Sequence, residues 1–117
     1  MTTSAAVGIV LAHLDAYNSH DLERLLSYYA PDAVIADGDG KPIAEGHDGI
    51  RSGMGRVFER MPDVSGEYPV VIEVGEWVAV HCVSPNWRVG DGPQGKMQLV
   101  ELYRVANGKI QRVQLFS

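Results

Sequence analysis

The stretch Val70-Val71-Ile72-Glu73-Val74-Gly75-Glu76-Trp77-Val78-Ala79-Val80-His81-Cys82-Val83 decides the fold. Two runs rich in β-branched residues flank Gly75-Glu76, and a two-residue loop that opens on glycine suits a type II′ hairpin, whose first position needs positive φ. Further along, Asn107-Gly108 is the preferred type I′ pair between two more such runs. Strands are therefore predicted over about Glu67 to Val74, Trp77 to Arg88, Met97 to Val105 and Lys109 to Phe116, joined as a four-stranded antiparallel meander.

Side chains alternate between the faces of a strand. Trp77, Ala79, His81 and Val83 share one face of the second strand, and Val78, Val80 and Cys82 share the other. In the third strand, Leu99, Glu101 and Tyr103 oppose Val100 and Leu102. Both faces are apolar, so the sheet needs two covers, and three helices supply one. A second copy of the chain is expected as the other, through the face assigned Val78, Val80, Val100 and Leu102.

The helices lie upstream. Val7, Val10, Leu11, Leu14 and Tyr17 recur at helical spacing until Asn18-Ser19-His20-Asp21 breaks the pattern with cap-forming residues. Leu22, Leu25, Leu26 and Tyr29 repeat the spacing, predicting a second helix that runs to Pro31, and Ile50, Met54, Val57, Phe58 and Met61 predict a third, closed by Pro62. Between them, Ala33 to Ala44 holds two short apolar runs around Asp37-Gly38-Asp39-Gly40, which reads as a hairpin or tight loop. The fold class is α+β, a single domain over residues 1–117.

Composition agrees with one globular domain: 117 residues, 45% hydrophobic and 21% charged. A net charge of −5 with ten scattered Lys and Arg gives no basic patch for nucleic acid or anionic lipid, and neither partner is expected. Cys82 is the single cysteine, more plausible as a small core residue than as a nucleophile, and it allows no internal disulfide. Met1-Thr2-Thr3-Ser4 lacks the basic start of a leader, and no run reaches the ~20 apolar residues of a membrane span. A reducing, cytoplasmic setting is expected.

Several motifs fail on inspection. Gly90, Gly92 and Gly95 spell GxGxxG but join two strands, where a dinucleotide site needs a strand leading into a helix. Asp37-Gly38-Asp39-Gly40-Lys41-Pro42 has lysine and proline where a calcium loop needs a ligand and a glycine. His13, His20, His47 and His81 have no paired zinc spacing, and no serine sits in a GxSxG elbow. No metal or cofactor is expected. Three ionisable groups in apolar company remain. His13 borders the apolar stripe of helix one, either as a histidine bonded to a backbone carbonyl or as a pocket group. Glu101, between Leu99 and Tyr103, is either a buried carboxyl with a raised pKa or a rim residue that reaches water. Asp37 precedes a glycine, where aspartate ordinarily makes the turn.

The element order, with Tyr17-Asn18-Ser19-His20-Asp21-Leu22, Tyr29-Ala30-Pro31-Asp32-Ala33-Val34, Glu45-Gly46 and Glu101-Leu102-Tyr103-Arg104-Val105 before Asn107-Gly108-Lys109-Ile110, resembles the nuclear transport factor 2-like superfamily with its SnoaL-like and ketosteroid isomerase branches. The resemblance covers nearly the whole chain and implies a cone-shaped curved sheet around an apolar pocket. A gapless alignment implies Asp37 as the base that removes a proton α to a carbonyl, with His13 and Glu101 as the pair that stabilises the oxyanion. Histidine and glutamate there replace the branch's tyrosine and aspartic acid. Leu14, Tyr29, Phe58, His81, Leu99, Tyr103, Val113 and Leu115 are expected to line the pocket around a small apolar or carbonyl-containing ligand. A SnoaL-like cyclase, an epoxide-hydrolase-like enzyme and a non-catalytic apolar-ligand-binding dimer are the alternatives; for the hydrolase, Arg88 has no acidic residue two places away.

Overall fold

The computed structural model describes residues 4–117; Met1, Thr2 and Thr3, on which the reading of the N-terminus partly rests, lie outside the described residues. Three helices, α1 (Ala5–Asn18), α2 (Leu22–Ser27) and α3 (Gly46–Arg60), accompany six strands: β1 (Tyr29–Ala36), β2 (Pro42–Glu45), β3 (Glu67–Val74), β4 (Trp77–Arg88), β5 (Gln94–Ala106) and β6 (Lys109–Phe116). The strands form one open curved sheet in the order β2-β1-β6-β5-β4-β3, an α+β fold.

The predicted meander is β3 to β6, with β5 starting three residues before its expected position. Gly75 takes φ +59, and Asn107 and Gly108 take +55 and +73. Positive φ at both central residues is the type I′ requirement, which aspartate, asparagine and glycine meet at least cost. The hairpin read over Ala33 to Ala44 is the antiparallel pair β1–β2; that it joins the meander's sheet was not read from sequence. β1 runs parallel to β6, with Tyr29 opposite Ile110 and Ile35 opposite Val113, and β2 folds back on β1.

That pairing corrects the second helix. It ends at Ser27, and Tyr29 is the first residue of β1. The Ile110 amide donates to the Tyr28 carbonyl (2.8 Å), so the β6 ladder takes over the backbone that a further helical turn would have used. Proline 31 lacks an N–H, and the β1–β6 register shifts between Tyr29 and Val34, around it.

The register of β4 against β5 settles the two faces. Val78 lies opposite Tyr103, Val80 opposite Glu101 and Cys82 opposite Leu99, and directly opposed residues point to the same side. Val78, Val80 and Cys82 therefore share the inner face with Leu99, Glu101 and Tyr103, while His81 shares the outer face with Val100 and Leu102. Alternation along each strand was right; its phase between strands was not. Val78 and Val80 are fully buried in the core, so the expected dimer face loses both. Burying each contributes about 1.5–3 kcal/mol, enough to hold this register against a one-residue slip that would turn Trp77 and His81 inward. The outer face is still apolar. It carries Val70, Ile72, Val74, Trp77, Val100 and Phe116, all exposed. Among the described residues no helix is long and apolar enough to cross a membrane.

Candidate active site

The inner face of the sheet and helices α1 and α3 enclose a cavity of about 300 Å³. Helix α1 reaches it through His13, Leu14 and Tyr17. Its position is locked at the C-terminal end. Asn18 accepts from the Gly66 amide (2.8 Å) and donates to the Gly66 carbonyl (3.0 Å), His20 donates to the Val64 carbonyl (2.6 Å), and Asp21 caps α2 through the Arg24 amide (3.2 Å). The polar segment that ends α1 thus ties it to the residues leading into β3.

Among the described residues Glu101 is the only Asp or Glu side chain of the cavity wall. Burial raises its carboxyl to about 7, against the opposing effect of Tyr103, whose hydroxyl donates to Oε1 at 2.9 Å. His13 is 3% exposed, edge-on to Tyr29 at 5.0 Å and to Tyr103 at 5.6 Å between ring centroids. Neither of its nitrogens has a hydrogen-bond partner among the described residues, so it is not the histidine anchored on a backbone carbonyl that one reading allowed. Burial lowers its pKa to about 3, leaving a neutral imidazole with one donor and one acceptor at neutral pH. An imidazolium–carboxylate pair does not form: no ion pair joins His13 to Glu101.

Of the residues expected from sequence, His13, Glu101, Leu14, Tyr29, Leu99, Tyr103, Val113 and Leu115 all line this cavity. Three do not. Asp37 lies in the β1–β2 turn, where Oδ1 accepts from the amides of Asp39 (3.0 Å) and Lys41 (2.9 Å), and it borders a separate shallow depression with Gly38, Asp39 and Ile43. Its carboxylate is engaged in making the turn. Phe58 stacks on His20 at 4.5 Å, bracing the α1–α2 corner behind the cavity. His81 lies on the outer face and donates to Gln98 Oε1 at 2.9 Å. Sequence reasoning missed Tyr17, Tyr68, Trp87 and Met97, all of which line the cavity. For Tyr17 the signal was available, one turn after His13 on the same helix face; for Tyr68 it was hidden by the register shift between Glu67 and Val70. Cys82 is a buried cavity-wall residue whose thiol burial pushes up to about 12, so it stays protonated and is no nucleophile at neutral pH. Among the described residues no three His, Cys, Asp or Glu side chains gather as a metal site.

Helices laid across one face of an open curved sheet, with a ligand-sized space between the layers, define a nuclear transport factor 2-like pocket protein. Within that class the chain belongs to the SnoaL-like domain family, whose match spans residues 10–113. No curated protein matches the chain by sequence. Among solved structures it is similar to a cystatin-fold protein from Novosphingobium aromaticivorans (27% identity over 99% of this chain and 100% of that one, TM-score 0.88). It is also similar to IdmH, a putative polyketide cyclase from Streptomyces antibioticus (25% identity, 95% and 90% covered, TM-score 0.77). A protein of ketosteroid isomerase-like fold from Catenulispora acidiphila shares the architecture at 19% identity (93% and 84% covered, TM-score 0.79).

Proposed function

We propose that the cavity catalyses proton transfer next to a carbonyl of an apolar, polyketide-like molecule, with Glu101 as the acid–base group. The observation that carries this reading is one side-chain carboxyl among the described residues, raised to about 7, in a largely apolar wall. A group with a pKa near the working pH is competent both to take a proton and to return it. Similarity to a putative polyketide cyclase supports the substrate class.

Ionised Glu101 takes the α-proton; the C–H electron pair becomes the new C=C bond and the carbonyl π pair moves onto the oxygen, giving an enolate. The neutral His13 N–H is available to donate to that oxygen. Glu101, now protonated, returns its proton to another carbon in an isomerisation, or to the new alkoxide when the enolate carbon attacks a second carbonyl and closes a ring. Tyr103 holds the carboxyl in place through its 2.9 Å hydrogen bond. Asp37, the base implied by the isomerase resemblance, has no part in this scheme because its oxygen is committed to the turn.

Exchange of the α-protons of 2-tetralone into D2O, followed by NMR, tests the reading. Wild type is expected to catalyse exchange, and Glu101→Gln to lose about 100-fold or more, the usual contribution of a positioned general base. Catalysis that survives Glu101→Gln, with the melting temperature unchanged, overturns it.

A further inference from the structure

Among the described residues the cavity wall combines one side-chain carboxyl with a high density of aromatic rings: Tyr17, Tyr29, Tyr68, Trp87 and Tyr103 all line it. Among the described residues no Lys or Arg lines it. The titratable groups around Glu101 come from every layer: His13 and Tyr17 from α1, Tyr29 from β1, Tyr68 from β3, Cys82 from β4 and Tyr103 from β5. None of them is a cation at neutral pH. The imidazole is held neutral by burial, and the thiol and phenols are pushed further from ionisation by burial and by the Glu101 charge itself. An ionised Glu101 therefore stands in a low-dielectric space without a compensating charge, an arrangement that costs free energy unless a cation joins it. The same space is lined by aromatic rings, the side chains with which aromatic cages take alkylammonium groups.

We propose that this cavity binds organic ammonium cations, with the charge held against the Glu101 carboxylate and the alkyl groups against the surrounding tyrosine and tryptophan rings. The inference uses the carboxyl and cavity of the proton-transfer reading but does not need that catalysis to occur. Its consequence for catalysis is competition: an ammonium ion in the cavity displaces the ketone and keeps Glu101 ionised.

Calorimetry with benzyltrimethylammonium and its uncharged isostere neopentylbenzene provides the test, on the full chain at pH 8.5 and pH 5.5. The cation is expected to bind about 30-fold more weakly at pH 5.5, where a carboxyl titrating near 7 is about 97% protonated, while the isostere changes little. Glu101→Gln is isosteric and still accepts from Tyr103; it should abolish both the pH dependence and the preference for the cation. Tyr68→Leu should weaken the cation several-fold and spare the isostere, a readout that holds if the Gln variant folds poorly. Equal affinity for the two probes at pH 8.5, or a cation preference that survives Glu101→Gln, overturns the proposal. Its failure is separable from that of the proton-transfer reading. Ketone exchange without ammonium selectivity rejects only this inference, and ammonium selectivity without exchange rejects only the catalysis.

Discussion

At the scale of single residues, His13 shows the conflict between stability and use most plainly. Each of the two buried nitrogens without a partner costs about 1–3 kcal/mol. Replacing the ring by an apolar side chain of similar size removes both costs, so His13→Leu is expected to raise stability by about 2–6 kcal/mol in urea unfolding while lowering the exchange rate. A destabilised His13→Leu would show that the imidazole is satisfied in solution. Asp37 gives the opposite contrast. Asp37→Asn keeps an oxygen for the Asp39 and Lys41 amides, so both stability and α-proton exchange should stay within a factor of a few of wild type. A 100-fold loss of exchange would restore it as the base. Both residues were visible in the sequence as ionisable groups in apolar company. What spacing could not say was where the side-chain oxygens and nitrogens end up, because that depends on backbone donors brought in by neighbouring turns and strands.

At the scale of elements, the Asn18-Ser19-His20-Asp21 segment does more than end a helix. Asn18 holds both backbone groups of Gly66 and also accepts from the Tyr68 hydroxyl at 3.3 Å. Asn18→Ala leaves those groups without their protein partner, and a loss of about 1–3 kcal/mol is expected in chemical denaturation. Because Tyr68 lines the cavity, the same change should also weaken ligand binding; an unchanged affinity would mean that β3 positions Tyr68 without help from α1. The hairpins and α1 were legible because their signals are local: φ-permissive turn residues and a 3.6-residue period. Tyr29 was misread because it fits the helical period of Leu22, Leu25 and Leu26 just as well as it fits the start of a strand. Only the β6 ladder, more than 80 residues away in sequence, decides between them.

For the whole molecule, the two buried ionisable groups oppose each other in pH. Glu101 sits at about 7 against an ordinary 4.5, so the folded state holds the extra proton and its stability falls as pH rises across that interval. His13 sits at about 3 against 6.5, so the unfolded state takes up the extra proton and stability is lost as pH falls across that interval. Between 4.5 and 6.5 these slopes cancel. Glu101→Gln removes one of them, so the variant should gain on wild type progressively from pH 4.5 to 7 and differ little below 4.5. Parallel curves would place Glu101 in contact with bulk water. On the outer face, Val70, Ile72, Val74, Trp77, Val100 and Phe116 form an exposed apolar surface on adjacent strands, which suits a second copy of the same surface across a twofold axis. Light scattering is expected to give a dimer at micromolar concentration, and Ile72→Lys a monomer. A monomeric wild type excludes this.

What the sequence determined by itself was local: the helix period of α1 and α3, the turn residues at 75–76 and 107–108, the alternation along each strand, and the presence of a carboxyl between two apolar neighbours. Tertiary structure alone decided the parallel β1–β6 pairing, the phase of β4 against β5 that buries Val80 beside Glu101 and turns His81 outward, and the engagement of Asp37 in its turn. Alternation has a period of two and is unchanged by sliding one strand past its neighbour by an even number of residues, whereas an odd shift exchanges the faces. The choice rests on turn and bulge geometry and on which face gains more from burial, and both exist only once the layers are packed.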